Sequence, residues 1–303
     1  MSTASEPNGV LIVNKHAGVT SHDIVFKIRR LFGTKKVGHT GTLDPMAEGV
    51  LVVLVGRAAK AAEYLVSDSK RYRATLKLGV TTDTEDTTGE VLTSTDEIPL
   101  ADEVISAALS FLGAYDQVPP MYSALKIGGK KLCDLARQGV SVEREARRVT
   151  IHGIKCEPTE ARDEFLLDVA CSSGTYIRTL CADIGARLGC GGAMATLLRV
   201  ETGGFSLDES FTIAELEEMS EAERYARLIP TESLFAALPE VKLPEFYERL
   251  SRSGCEIYQK KIGTHHVAGA RVRLSGKDGF FALGEVREYD GGSAIKAIKQ
   301  FDV

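Results

Sequence analysis

One aspartate in this chain lies in a setting suited to chemistry. Asp44 belongs to the glycine-rich segment GHTGTLDP (38–45), directly before the apolar strand predicted over 50–55. Gly38 and Gly41 would let a ligand approach the backbone closely. Aspartate followed by proline is also a typical helix start, with Asp44 at the N-cap and Pro45 in the first turn. Taken alone, the segment favours a helix cap over a catalytic aspartate, because caps are far more common.

Two further side chains could act together with a carboxylate. Tyr72 lies in the alternating stretch 71–78, which is typical of a strand buried on one face. It is therefore either a core residue or an aromatic surface on which a nucleobase could stack. Arg178 follows a glycine turn, in the first turn of a predicted helix. The helix dipole disfavours a cation there, so a nearby anion would explain it, and a surface arginine is the alternative.

Other classes of site find little support. The six cysteines are scattered without a C-x-x-C pair and the histidines show no metal spacing, so we expect no metal site, no disulfides and a reducing cytosol. The stretch GGKK (128–131) lacks the spacing of a Walker phosphate loop. No apolar run approaches the roughly 20 residues that span a membrane, and the polar segment 1–7 is not typical of a signal peptide.

The elements that must position Asp44, Tyr72 and Arg178 alternate between strands and helices. Apolar patterning predicts strands over 9–15, 50–55, 71–78, 149–156, 164–171 and 197–205, and helices over 21–32, 57–66, 101–111, 131–137, 175–188 and 211–227. Ser21 is the predicted N-cap of the first helix. This order predicts an α+β fold with a mixed, mainly antiparallel sheet flanked by helices over 1–235.

The sequence pattern changes from about residue 236. Two Leu-Pro-Glu triplets predict a linker over 238–245, followed by a short helix and β-rich segments over 267–274, 279–286 and 294–301. Short strands of this kind predict a small, barrel-like C-terminal domain over 236–303.

The charge distribution is uneven. The chain carries 37 Lys and Arg against 42 Asp and Glu, a net charge of −5, which argues against a protein that binds polyanions over its whole surface. Residues 121–150 nevertheless hold seven basic side chains against three acidic ones. Such a local basic face is compatible with a shaped RNA, because phosphate attraction is needed only along the contact. A solvated surface of mixed charge is the alternative.

The order of the motifs resembles the TruB family, the tRNA pseudouridine-55 synthases. The resemblance rests on NK with GVTS (14–21), GHTGTLDP with Gly49, KRY (70–72), QVPPMYSALK (117–126), SSGTYIR (172–178), and LLR with GGF (197–205). It covers about residues 9–205 densely, and continues loosely into a tail similar to a bacterial PUA-type domain. The chain departs from the family pattern at His16, Cys133, Leu198 and Val200, none of which is the aspartate.

This resemblance implies a pseudouridine-synthase catalytic domain over 1–235 and a PUA-like RNA-binding domain over 236–303. The implied enzyme is a cytoplasmic monomer that flips out uridine 55 in the T-arm of tRNA and isomerises it, without cofactor or metal. Asp44 would be the nucleophile or the base at the sugar, with attack at C6 or C1′ left open. Tyr72 would stack on the base and assist proton transfer, and Arg178 would be the counter-ion of Asp44.

The resemblance also implies residues that bind the substrate. His39 would support the T-loop and Leu197 would line the pocket, while Lys15 and Gly41 would contact the substrate nearby. The basic segment 121–150 would be a thumb that grips backbone phosphates through Lys126, Lys130 and Lys131.

The sequence disfavours three other interpretations. A non-catalytic tRNA-binding or folding chaperone of the same fold is disfavoured by the full set of Asp44, Tyr72 and Arg178. A subunit of a guide-RNA-dependent pseudouridylase is disfavoured by the basic 121–150 segment and the bacterial-style tail. A hydrolase with Asp44 as nucleophile is disfavoured because no partner acid or base is suitably spaced.

Overall fold

The computed structural model describes residues 6–65, 69–123 and 125–301. Residues 1–5 of the polar N-terminal segment, Val66 in the predicted helix 57–66, Ala124 in the 117–126 motif and the last two residues lie outside the described residues. The strands are β1 (Gly9–Lys15), β2 (Val37–Thr40), β3 (Glu48–Val55), β4 (Lys70–Leu78), β5 (Val80–Thr82), β6 (Val91–Ser94), β7 (Gly113–Gln117), β8 (Lys126–Ile127), β9 (Lys130–Lys131), β10 (Arg147–Pro158), β11 (Glu164–Cys171), β12 (Gly192–Thr202), β13 (Phe205–Ser206), β14 (Glu240–Lys242), β15 (Ile257–Tyr258), β16 (Arg271–Gly276), β17 (Gly279–Tyr289) and β18 (Gly292–Gln300).

The α-helices are α1 (Ser21–Leu31), α2 (Ala101–Leu109), α3 (Leu132–Ala136), α4 (Ile177–Leu188), α5 (Ile213–Glu218), α6 (Glu221–Ala226), α7 (Glu245–Arg252) and α8 (Gln259–Ile262). Shorter 3₁₀ segments cover Gly56–Tyr64, Leu207–Glu209 and Thr231–Phe235, so the helix predicted over 57–66 is a run of 3₁₀ turns. Among the described residues, no helix is both long and apolar enough to cross a membrane.

A nine-stranded sheet carries most of the sequence motifs named above. Its order is β1–β3–β12–β4–β11–β10–β7, with β2 beside β3 and β13 beside β12. Neighbouring strands are antiparallel, except for a short parallel pairing of β12 with the start of β3. The predicted α+β fold, with a mixed and mainly antiparallel sheet, is therefore confirmed.

Both faces of β1 and β3 are covered, which explains why these strands are apolar at almost every position rather than at alternate ones. Residues of one parity, such as Leu11 and Leu51, belong to the core that includes the buried faces of the helices α1 and α4. Residues of the other parity, such as Val10, belong to a second core together with Phe235 and Phe301. The C-terminal part thus packs directly against the main sheet.

The C-terminal part is built on a five-stranded sheet in the order β14–β16–β17–β18–β15. It agrees with the predicted small β-rich region, although the boundary at 235 and 236 stays a prediction. The linker predicted over 238–245 is wrong at its centre. Glu240–Lys242 forms β14, which pairs with β16 because Val241 and Leu243 fill the apolar core beneath that sheet.

The first helix begins differently from the prediction. Thr20, not Ser21, is the N-cap of α1, because its hydroxyl accepts from the Asp23 amide while the Asp23 carboxylate accepts from the Thr20 amide. Ser21 is buried instead, and its hydroxyl bonds both the amide and the carbonyl of Leu43 at 2.9 and 3.1 Å. A residue predicted to cap a helix therefore fixes the backbone next to Asp44.

The close packing of α4 on β12 yields a test of the fold. A Cβ on Gly185 would lie 2.1 Å from the Gly192 amide nitrogen, which is far inside van der Waals contact. Helix propensity alone would make Gly185→Ala stabilising by about 1 kcal/mol. We expect instead that urea unfolding shows a loss of about 2 kcal/mol or more, because backbone has to move.

Gly153→Ala is the matched control, since its Cβ would meet the Ala170 Cβ at an ordinary 3.9 Å. That variant should stay within about 0.5 kcal/mol of the wild type. A stabilised Gly185→Ala would contradict the close approach.

Candidate active site

Asp44 lies in a loop between two strands that pair with each other. Strand β2 ends at Thr40, Gly41 adopts a φ of +70°, and β3 begins at Glu48. The Ala47 amide donates to the Asp44 carbonyl at 3.0 Å, which makes a single turn. The helix cap favoured by the local sequence is therefore wrong, because strand β3 begins at Glu48 and leaves too few residues after Asp44 for a helix.

Lys15 holds this loop through hydrogen bonds to backbone carbonyls. Its side chain is fully buried, and Nζ donates to the carbonyls of His16, Val19 and Pro45 at 3.0, 2.8 and 3.2 Å. Burial lowers the pKa of Lys15 to about 8, although nearby Glu48 and Asp44 oppose this shift. The predicted contact of Lys15 with substrate would cost one of these bonds, so the observed role of this lysine is to hold the Asp44 loop.

Arg178 lies directly beside Asp44. It is the second residue of α4, and its Nε is 3.0 Å from Asp44 Oδ2. Only 5% of the Arg178 side chain is exposed, against 40% of the Asp44 side chain. The start of α4 is fixed by buried Gln117, which accepts from the Tyr176 amide and donates to the Tyr176 carbonyl. A buried cation thus faces a carboxylate that remains open to solvent.

A second carboxylate, which the sequence interpretation missed, shares this arginine. Arg178 Nη1 lies 3.6 Å from Oδ2 of buried Asp86 and also donates to the Thr84 carbonyl at 2.9 Å. The Oδ1 atom of Asp86 accepts from the hydroxyls of Thr84 and Thr88. The only signal in the sequence is the Thr-x-Asp-x-Thr spacing, since short hydroxyl side chains of this kind often satisfy an aspartate in a turn.

Tyr72 lies on β4 opposite another residue that the sequence interpretation passed over. Arg199 of β12 is its register partner, and Arg199 is fully buried. Arg199 donates to the Val50 carbonyl through Nε at 2.8 Å and to the Gly41 carbonyl through Nη2 at 2.9 Å. Burial raises the pKa of the Tyr72 phenol, and the charge of Arg199 opposes that rise.

The remaining predicted residues divide into two groups. His39 on β2 and Leu197 on β12 lie near this region, and Leu197 shares a core with Tyr72. Burial, and then the charge of Arg199, lowers the pKa of His39. The three predicted thumb lysines are exposed on the β8–β9 hairpin: Lys126, Lys130 and Lys131. They do not reach the carboxylates, but Arg178 Nη2 donates to the Tyr122 carbonyl at the base of this segment at 2.8 Å.

Two more acidic side chains belong to the segments that carry Asp86 and Arg178. Glu85 has a φ of 64° and accepts from the Thr179 hydroxyl at 2.5 Å. Burial raises the pKa of Glu85, and burial together with the negative charge of Glu85 raises the pKa of Asp183 to about 6. In the described part of the chain, no group of three or more His, Cys, Asp or Glu is arranged to hold a metal ion.

The chain is similar to known proteins over most of its length. Residues 29–177 match the family described as "TruB family pseudouridylate synthase (N terminal domain)", and residues 178–236 match "tRNA pseudouridylate synthase B C-terminal domain". A tRNA pseudouridine synthase B of Alkaliphilus oremlandii is 44% identical over 285 residues, covering 93% of this chain and 94% of the relative. One of Clostridium perfringens is 44% identical over 262 residues, covering 86% and 88%.

A solved structure of a Cbf5-Nop10-Gar1 complex contains a chain of similar fold. The TM-score is 0.74 at 26% identity, over 97% of this chain and 85% of that one.

The raised pKa of Asp183 gives a pH test of this partly buried pair of carboxyl groups. A carboxyl with a pKa near 4 when unfolded and about 6 when folded stabilises the fold while protonated, and this contribution is lost as the pH rises through 6. Asn stays neutral at every pH, so Asp183→Asn should not lose this contribution. The free energy of unfolding of the variant, relative to that of the wild type, should therefore be about 1–2 kcal/mol higher at pH 7.5 than at pH 4, after allowance for screening. Chemical denaturation at both pH values measures this change.

Asp168→Asn is the control of opposite sign. The hydrogen bond from Arg71 lowers the pKa of Asp168, so this variant should lose stability relative to the wild type as the pH rises from 2.5 to 5. A stability difference for Asp183→Asn that does not change with pH would contradict the raised pKa of the Asp183 carboxyl.

Proposed function

The chain belongs to the TruB family of pseudouridylate synthases, and from its site we propose that it converts uridine 55 in the T-arm of tRNA to pseudouridine without a cofactor. The enzyme is an isomerase. The observation that carries the proposal is the half-exposed Asp44 carboxylate, ion-paired at 3.0 Å with buried Arg178. A carboxylate held in this way can remain ionised beneath a stacked base, where burial alone would favour its neutral form.

The two oxygens of Asp44 have different surroundings. Oδ2 contacts Arg178, whereas Oδ1 has no hydrogen-bond partner among the described residues. We infer that Oδ1 is the atom that meets the substrate. In the isomerisation, the N1–C1′ bond breaks, the base turns, a C5–C1′ bond forms, and the C5 proton is lost while N1 gains one. Attack by Oδ1 at C6 or at C1′ is compatible with this geometry.

Asp86 prevents Arg178 from neutralising Asp44 completely. One guanidinium faces two carboxylates, so the three groups together carry one negative charge. The hydroxyls of Thr84 and Thr88 donate to Asp86, and Asp86 contacts Arg178 through Nη1, whereas Asp44 contacts Arg178 through Nε. We propose that Asp86 positions Arg178, while Arg178 orients the nucleophile.

Tyr72 supplies the second part of the proposed mechanism. Its ring is 7% exposed and shares a core with Leu197, so it can form the floor of a pocket for uracil. The phenol would assist removal of the C5 proton. The charge of Arg199 favours this step, because it stabilises the phenolate against the effect of burial.

Recognition of the tRNA is proposed to involve two further regions. The thumb over 121–150 would grip phosphates through its hairpin lysines, and the PUA-like domain over 236–303 would extend the contact. Flipping a loop nucleotide costs a few kcal/mol, which these contacts could offset. We propose that the enzyme acts as a monomer on cytoplasmic tRNA and recognises loop shape more than sequence.

The decisive test compares the wild type with Asp44→Asn on T-arm RNA, with no guide RNA added. The wild type should convert the single uridine at position 55, and the variant should lose at least about 10³-fold in turnover, as expected for loss of a nucleophile. RNA binding should remain within several-fold, because the size of the side chain is kept. Pseudouridine mapping by reverse transcription and mass spectrometry gives both position and rate.

Asp96→Asn makes the same chemical change at an exposed site and should turn over normally. Turnover by Asp44→Asn would rule out the nucleophile. A wild type that binds but never modifies this RNA would favour the chaperone interpretation, and modification only with an added guide would favour the guide-dependent one.

Tyr72→Phe separates stacking from proton transfer. The ring and its packing remain, so KM should change only several-fold, while kcat should fall by about 10²–10⁴-fold, the usual range for loss of a general acid or base. Steady-state kinetics measures both constants, and single-turnover kinetics checks that the chemical step is the one that slows. Tyr64→Phe removes a phenol that donates to the Ile298 carbonyl elsewhere and should leave both constants unchanged. An unaltered kcat for Tyr72→Phe would leave Tyr72 with a packing role alone.

A further inference from the structure

The main sheet splits at β3, next to the Asp44 loop. On one edge of β3, β12 pairs only with Glu48 and Gly49, whereas β2 pairs only with residues 52–55. The Arg199 side chain lies between these two pairings, and its Nε donates to the Val50 carbonyl. The split is therefore closed by a charged group rather than by backbone bonds.

Arg199 lacks a counter-ion there. It is fully buried, and within the described residues no carboxylate lies at ion-pair distance from it. Its Nη1 atom is buried with no hydrogen-bond partner. A buried cation with an unsatisfied donor is costly, and such groups are normally paired. This atom is the kind of donor that a bound anion would satisfy.

A second cation converges on the same point. A Cβ placed on Gly41 would lie 3.5 Å from Arg199 Nη1 and 3.8 Å from Lys70 Nζ. Gly41 has no such atom and is itself exposed, so the two nitrogens lie close beneath an exposed glycine. The Lys70 side chain has no ion pair or hydrogen bond within the described part of the chain, although its backbone pairs with Cys171 and Thr202. Burial and the charge of Arg199 both lower the pKa of Lys70, as expected where an anion is missing.

We propose that Lys70 Nζ and Arg199 Nη1 form a site for one phosphodiester group of the RNA strand that carries the target uridine. This inference rests on the proposed function. Lys70 lies two residues from Tyr72 on the same face of β4, and Gly41 lies three residues before Asp44. A phosphate at Gly41 therefore lies beside the pocket for the base. Fixing the backbone there would hold the flipped nucleotide against Asp44.

The test couples the lysine to a single phosphate. T-arm RNAs are prepared with one neutral methylphosphonate at each linkage around uridine 55, and their affinities for wild type and Lys70→Met are measured by fluorescence anisotropy. For the wild type, one linkage near the target should cost about 10-fold or more, as expected for a charge-assisted contact. Lys70→Met should bind unmodified RNA more weakly by a similar factor and be insensitive at that linkage alone.

Arg73→Met is the matched control, because it removes one charge from the same strand on its opposite, exposed face. Arg73→Met should lose as much affinity at that linkage as the wild type does. Lys70→Arg, which keeps the positive charge, should also show this loss. Arg199→Lys, which keeps the charge but loses Nη1, should reduce the sensitivity in the same way as Lys70→Met.

Equal losses at every linkage for wild type and Lys70→Met would overturn the site, even if the wild type modifies the RNA normally. A wild type that does not bind T-arm RNA would overturn both proposals. Inorganic phosphate is titrated separately. Binding of phosphate that depends on Lys70, without any linkage effect in RNA, would assign the site to a free anion and contradict the RNA contact.

Discussion

The arrangement of the site depends on one buried guanidinium. Arg178 bonds or pairs with three segments that are distant in sequence: the Asp44 loop, the turn that holds Thr84 and Asp86, and the carbonyl of Tyr122. With 4% of the residue exposed, this charge cannot rely on water, so its protein partners must compensate for its burial. The same contacts fix the direction in which the Arg178 guanidinium meets Asp44.

The loop that carries Asp44 is held at both ends by other buried cations. Arg199 donates to the Gly41 carbonyl before the aspartate, and Lys15 donates to the Pro45 carbonyl after it. Neutral side chains could make such bonds, but cations also surround the carboxylate with positive potential in a region of low dielectric. The cations that fix the backbone of the loop therefore also place positive charge around Asp44.

Much of this could be predicted from the sequence, because alternation and apolar runs report local structure. Strands such as β4 and β11 follow directly from period-two patterning, and motif order brought Asp44, Tyr72 and Arg178 together. The local cap signal at Asp44 was misleading, since pairing of β3 with distant β1 overrides it. Asp86 could not be predicted because a polar turn has no periodicity. The role of Arg199 could not be predicted because its two hydrogen bonds join it to residues that lie 149 and 158 positions away in the sequence.

The distribution of charge also explains how an acidic chain can handle RNA. A net charge of −5 weakens indiscriminate attraction to phosphate, so binding has to come from cations placed at particular points. The exposed hairpin lysines are one such group, and their segment is attached at Ser123, which accepts from the Cys133 amide at 3.0 Å. The preceding residue, Tyr122, accepts from Arg178. Because one peptide link separates these two acceptors, a displacement of the hairpin base changes a bond of the arginine that is ion-paired with Asp44.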